Sequence, residues 1–251
     1  MTRPVQTAIL TEPAASRLGR GRVLAGSVGL LALSIIATTV VTGGAALGYL
    51  TLGGSLASPA ALVVFTALGQ VVLLAMGYLF VTRRLGGVKA GVPSVEHLGL
   101  VALGSVLVLG VVFGGSEALA TVGLAAPADA MLVAAESQPL ILLAFAALSL
   151  LLIGPAEELF FRGAVQGNLR TAFGPVTAIG LTSLLFGAVH VTSFLSAGVA
   201  LSPAVLGSLS LNVLSAVVFG ALYERSGTLT VPVLVHGLTN AIGLVVVYQT
   251  L

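Results

Sequence analysis

The apolar runs of this chain continue for about 20 residues or more at a stretch, the length a bilayer-crossing helix needs, and charged side chains are nearly absent from them. Only 7% of the residues are charged, against roughly a quarter in ordinary globular chains. With 57% hydrophobic residues and a mean hydropathy of +1.16, the chain has far more apolar surface than a soluble domain could bury. Only helices and closed barrels satisfy their backbone polar groups in lipid. The runs are continuous rather than alternating over short segments, which excludes a barrel pattern. The expected fold class is therefore all-α, a polytopic transmembrane helix bundle. Thirty-two glycines suit close helix–helix approach. Cysteine is absent, so no disulfide, thiolate metal site or cysteine nucleophile is available.

Seven spans are predicted near 24–50, 60–82, 98–115, 139–171, 175–197, 203–223 and 229–249, and an apolar stretch within 116–138 is the candidate for an eighth, interfacial or re-entrant, segment. Residues 1–22, with Arg3, Arg17, Arg20 and Arg22, read as a cytoplasmic tail ahead of a single transmembrane domain over 23–251. The apolar run that follows is too long for the core of a signal peptide. Arg83, Arg84 and Lys89 follow the second span, Arg162 and Arg170 close the fourth, and Arg225 follows the sixth. Basic loops thus alternate, which puts the N-terminus in the cytoplasm, the C-terminus outside and the protein in the cell membrane. The net charge of +2 comes from these short loops and carries no nucleic-acid footprint.

Against this background the polar residues of the later spans stand out. Gly154-Pro155-Ala156-Glu157-Glu158-Leu159-Phe160-Phe161-Arg162 places two carboxylates within a span, where charge is costly and is kept for a use. Glu158 and Arg162 have the i, i+4 spacing of a helical ion pair. Glu157 is rotated about 100° away and has other neighbours. Gly174-Pro175 marks a turn, with Glu157 and His190 nearly equidistant from it. In an antiparallel hairpin such residues share a depth, so the two can face each other. Phe186 and His190 lie one turn apart, as do His236 and Asn240 in the last span. The plainer readings are a headgroup-level charge cluster for the glutamates, a hydrogen-bonded core residue for His190 and a helix–helix bond for Asn240. His97 reads as an interfacial residue, and Gln70, Ser208, Ser210, Asn212 and Ser215 as polar glue between helices. A His-Glu-x-x-His zinc motif, a Gly-x-Ser-x-Gly elbow and a phosphate-binding loop are all missing, and Asp129 is the sole aspartate.

Taken in order, Glu157-Glu158-x-x-x-Arg162, Phe186-x-x-x-His190 and His236-x-x-x-Asn240 on three late spans resemble the CPBP family, which includes the type II CAAX prenyl endopeptidases and the Abi-type proteins. The resemblance covers about 139–249. It implies an intramembrane endopeptidase acting on a hydrophobic or lipid-modified protein or peptide, with membrane lipid as its surroundings and no nucleic acid as partner. Carried over by position, Glu157 activates water, His190 helps hold it, and His236 and Asn240 stabilise the oxyanion. Arg162 supports the acidic motif through Glu158, and Phe186 accompanies His190. A zinc alternative would use Glu157, His190 and His236 as ligands. That arrangement would need another base while Glu158 is engaged by Arg162, so no cofactor is the favoured expectation. A cytoplasm-facing polar cavity is expected to admit water and substrate. The rival functions are a transporter or channel with a proton path through the same residues, and a scaffold or immunity protein. The first would show polar features in both halves of the chain, whereas here they cluster in one.

Overall fold

The computed structural model describes residues 19–56, 58–128 and 130–251. Within them the regular elements are helices: α1 (Arg20–Thr51), α2 (Pro59–Leu85), α3 (Val95–Thr121), α4 (Ala130–Ser137), α5 (Leu140–Leu169), α6 (Pro175–Ser196), α7 (Pro203–Ser226) and α8 (Thr230–Thr250). Seven of them, all but α4, are long and apolar enough to cross a membrane. The chain is an all-α polytopic bundle and an integral membrane protein.

Local chemistry sets the helix ends. Ser58, Ser94 and Ser202 each accept a hydrogen bond from the first turn of the helix that follows, and Pro59, Pro175 and Pro203 occupy first helical positions. Gly86 and Gly227, at φ 79° and 64°, stop α2 and α7 in the left-handed conformation that glycine adopts freely. His97 completes the cap of α3. Its backbone N–H donates to Ser94 Oγ, and the Ser94 N–H donates to its Nδ1.

Three sequence expectations change. The third span runs to Thr121 rather than ending near 115, because Gly110–Gly114 forms a wide π-helical turn instead of a break. Glu117 is therefore helical. The candidate eighth segment is α4, whose 8 residues rise about 12 Å and cannot cross a bilayer. The first helix begins at Arg20, so Arg20 and Arg22 lie in its first turn. The rest of the expected tail, with Arg3 and Arg17, and Asp129 lie outside the described residues.

The bundle is organised around α5, which packs against α2, α6 and α8 and touches α1 and α7. From Phe160 to Gln166 every residue of α5 is buried, as in a helix enclosed on all sides. Two wide turns, Ser149–Ile153 and Leu159–Gln166, interrupt its regular winding. The first precedes Pro155, whose missing N–H and bulky ring disfavour a regular turn there.

Close backbone approach then fixes where the polar residues fall. A Cβ on Gly237 of α8 would lie 3.1 Å from the Ser149 carbonyl oxygen, and one on Gly154 would lie 3.1 Å from the Gly237 nitrogen. The two helices thus touch backbone to backbone one turn before Glu158 and directly beside His236. On the other flank, a Cβ on Gly77 of α2 would meet the Phe160 backbone at 3.1 Å.

Replacing Gly237 with leucine is expected to force α5 and α8 apart and destabilise the bundle by about 1–3 kcal/mol, as overpacking does. Gly243, where an added Cβ meets nothing within 4 Å, should accept the same change. Denaturation midpoints of the two variants in detergent measure the difference.

Candidate active site

Glu158 and Arg162 are completely buried, with Arg162 Nε 3.2 Å from Glu158 Oε2. The contact is ionic rather than a well-aligned hydrogen bond, since neither atom meets hydrogen-bond geometry. Nη2 of the guanidinium donates to the Ala216 carbonyl of α7 at 3.0 Å. Its Cζ lies over two aromatic rings, 5.1 Å from the Phe186 centroid and 5.3 Å from that of Phe219. Arg162 is thus paired, hydrogen-bonded and in cation–π contact with two rings. It is no loop residue, and its place among the orientation-setting bases of the fourth span falls away. The remaining described bases, Arg20, Arg22, Arg83, Arg84, Lys89, Arg170 and Arg225, lie at helix ends or in loops.

His236 joins this network from α8. Its Nδ1 is 2.8 Å from Glu158 Oε1. A carboxylate paired with arginine has no proton to give, so Nδ1 carries the hydrogen. The other ring nitrogen, Nε2, faces Glu157 Oε2 at 3.9 Å. That gap is too long for a direct hydrogen bond and suits a bridged one. The imidazole stacks on Phe219, with 4.8 Å between centroids and 12° between planes.

Glu157 points elsewhere, as its rotation from Glu158 requires. Its Oε1 accepts a 3.0 Å hydrogen bond from Gln70 Nε2 of α2, while Oε2 is buried without a hydrogen-bond partner. His190 stands at the break within α6. Its Nδ1 lies 2.7 Å from the Phe186 carbonyl oxygen. A carbonyl only accepts, so Nδ1 carries a hydrogen, which leaves Nε2 as the acceptor nitrogen of the neutral ring. The Phe186 ring lies 4.5 Å from that of His190 and 6.0 Å from that of His236, so one phenylalanine touches both histidines and Arg162.

Glu157, His190 and Gln70 line one cavity of about 320 Å³, together with Phe161, Leu31, Leu73 and a set of hydroxyl side chains. His236 reaches its edge through Glu157. Asn240 lies one turn beyond His236, half-buried, and neither residue is among those lining the cavity. The side-chain amide of Asn240 has no hydrogen-bond partner among the described residues. The hydroxyl-bearing walls of the cavity at Thr39, Thr66, Thr192 and Ser193 lie on the far side of Glu157 from the basic helix ends. Among the described residues, no three His, Asp or Glu side chains are placed to hold a metal ion, so Glu157, His190 and His236 do not form a preassembled zinc set.

Sequence reasoning missed two residues. Gln70 was taken as helix glue, although it is the one amide within an otherwise apolar second span. Phe219 carried no signal, because its role is set by two partners on other helices.

Residues 139–242 match the family model described as type II CAAX prenyl endopeptidase Rce1-like. The match assigns this segment to the Rce1-like family. It takes in α5, α6, α7 and most of α8, and so every residue of the cluster except Gln70. No curated protein matches the chain, and no solved structure does. The Rce1-like segment is that of an intramembrane endopeptidase.

Removing one partner of the buried pair strands the other charge. Glu158→Gln should cost about 3–5 kcal/mol, seen as lost expression and a lower denaturation midpoint. Gln70→Leu should leave that midpoint nearly unchanged and lower kcat with little effect on KM, because it frees Glu157 to leave its position.

Proposed function

We propose that the protein hydrolyses a peptide bond in a membrane-associated or lipid-modified protein or peptide, using a water activated by Glu157. The observation that carries this reading is the pairing of an unpartnered Glu157 Oε2 with His236 Nε2, 3.9 Å apart and anchored from behind by Gln70 and Glu158. A water hydrogen-bonded to both fits that spacing, and His190 Nε2 offers a further acceptor in the cavity. The water oxygen adds to the scissile carbonyl carbon and its proton passes to Glu157. The carbonyl electron pair moves onto oxygen, toward donors from Asn240 Nδ2 and, when protonated, His236 Nε2. Collapse of the tetrahedral adduct expels the amine, which takes the proton held by Glu157. Oxyanion donors in a water-poor site are effective because they need no reorganisation.

The support for Asn240 is its position one turn from His236, its unengaged amide and its match to the family pattern. The reading needs no metal. The prenylated substrates named for the Rce1-like family fit a cavity with an apolar floor, and a cell-membrane location with a cytoplasmic N-terminus fits the basic helix ends. A channel through the same residues is disfavoured by the packed floor of Phe160, Phe161, Val165 and Leu169 beneath Glu157.

In purified protein, Glu157→Gln should abolish cleavage of a membrane-anchored peptide while leaving the denaturation midpoint in place. Asn240→Ala should lower kcat by about 100-fold, the loss typical of one oxyanion donor. Full activity in Glu157→Gln would remove Glu157 as the base. Activity should persist after exhaustive chelation, and recovery that required added zinc would reassign Glu157, His190 and His236 as ligands.

A further inference from the structure

Phe219 of α7 is buried and belongs to two neighbourhoods at once. It packs in an apolar cluster with Val101 and Val108 of α3, Leu222 of its own helix, and Val231 and Val235 of α8. Its ring also lies 4.8 Å from the His236 imidazole, with 12° between planes, and 5.3 Å from Arg162 Cζ. One ring is thus in contact with both groups that engage Glu158. Burial in an apolar cluster accounts for a large hydrophobic residue at this position. It does not account for a ring laid flat against an imidazole, since an edge-on pair would bury the same surface.

The stretch of α7 that carries Phe219 is fastened to α5 on both sides of it. Arg162 Nη2 donates to the Ala216 carbonyl at 3.0 Å, and Gln166 Nε2 donates to the Gly220 carbonyl at 3.3 Å and to Glu224 Oε1 at 3.0 Å. Gly220 permits this approach, because a Cβ there would lie 2.9 Å from Gln166 Oε1. Helix α7 can neither slide along α5 nor turn about its own axis without breaking these bonds. The Phe219 ring is therefore a fixed surface.

The imidazole needs such a surface. Glu158 Oε1 holds His236 Nδ1 at 2.8 Å, but one hydrogen bond fixes a point and not a plane. With that bond alone the ring could rock, and Nε2 would swing toward or away from Glu157 Oε2, which stands 3.9 Å off. The ring could also turn over about its Cβ–Cγ bond. That would set a C–H against Glu158 and carry Nε2 away from Glu157. A parallel ring against the imidazole face opposes both motions. Phe186 cannot do the same, since its ring meets that of His236 at 68° and 6.0 Å.

We infer that Phe219 is a positioning residue for the reaction: its ring sets the plane of the His236 imidazole and so the place of Nε2 opposite Glu157. It touches no reacting atom and acts only through His236. Because Phe219 packs on Val101 and Val108, helix α3, none of whose side chains lines the cavity, supports the site through this one ring. The inference rests on the endopeptidase reading for its effect on turnover, but not for its effect on the imidazole.

With only three histidines in the chain, the ring can be observed directly by magnetic resonance. Isotope-labelled histidine is incorporated into the full chain in detergent, and the His236 signals are those lost in His236→Gln. A stacked aromatic face moves the imidazole C–H protons upfield. Phe219→Leu keeps apolar bulk and removes the plane, Phe219→Tyr keeps the plane, and Val108→Ala weakens the same cluster without touching the ring pair. Phe219→Leu should abolish the upfield shift. It should also lower kcat for a membrane-anchored peptide by about 10- to 100-fold, the scale of a small misplacement at a reacting centre, with KM changed by less than about 2-fold. Phe219→Tyr should keep the shift and most of kcat, and Val108→Ala should keep both while lowering the denaturation midpoint. If Phe219→Leu does not give a folded bundle, Phe219→Met, which fills the space without a plane, is read by the same criteria. An unchanged His236 signal or an unchanged kcat in the planeless variant would overturn the inference. So would an equal loss of kcat in Phe219→Tyr, or in Val108→Ala at a matched midpoint. The signal is read without turnover. Its loss in Phe219→Leu together with full activity in Glu157→Gln would therefore overturn the catalytic reading and leave the placement of His236 by Phe219 standing.

Discussion

A guanidinium with no exposed surface, in the middle of a bundle built for lipid, is the constraint around which the rest of this molecule is arranged. Arg162 can stay charged there only if its surroundings replace water. The replacements come from three helices: Glu158 from its own, the Ala216 carbonyl and the Phe219 ring from α7, and the Phe186 ring from α6. Glu158 in turn holds His236 of α8. Four helices are therefore held in mutual register by one charge. The proposed chemistry occurs at the edge of this network, where Glu157 is left with one carboxylate oxygen unspent.

Such a network requires helices that approach closely, and small residues supply the approach. Gly154 and Gly237 let α5 and α8 meet at their backbones, which brings the residues next to them, Glu158 and His236, within hydrogen-bond reach. Gly77 does the same between α2 and α5, two turns from Gln70. Rigidity of the base and rigidity of the scaffold thus have one cause. Positions where the chain lacks a side chain determine the placement of those that carry function.

Much of this was legible in the sequence, and the reason differs by feature. The spans were visible because the hydropathic signal is local. The split between Glu157 and Glu158 was visible because helical rotation is fixed, and the shared depth of Glu157 and His190 because a hairpin equates distances from its turn. What could not be read depends on which helix neighbours which. Gln70 and Glu157 are separated by 87 positions, and nothing in either span announces the pairing. Arg162 looked like a boundary charge because composition cannot tell a buried guanidinium from one at a headgroup. The third span was placed near 98–115, whereas the wide turn at Gly110–Gly114 lets the helix continue to Thr121.

The wide turn over Leu159–Gln166 makes the molecule sensitive to something other than residue identity. A π-helical stretch holds more residues per turn than a regular helix, so it behaves like an insertion absorbed without a loop. A residue gained or lost before 166 that the wide turn does not absorb would leave hydropathy almost untouched. Everything beyond would turn by about 100°. Gln166 would leave the Gly220 carbonyl and Glu224, Asn168 would leave Val23 and Ser27, and Arg170 would leave Glu224. The length of this segment, counted in single residues, is thus as much a part of the fold's specification as its charged residues, and substitution surveys that keep length constant would never reveal it.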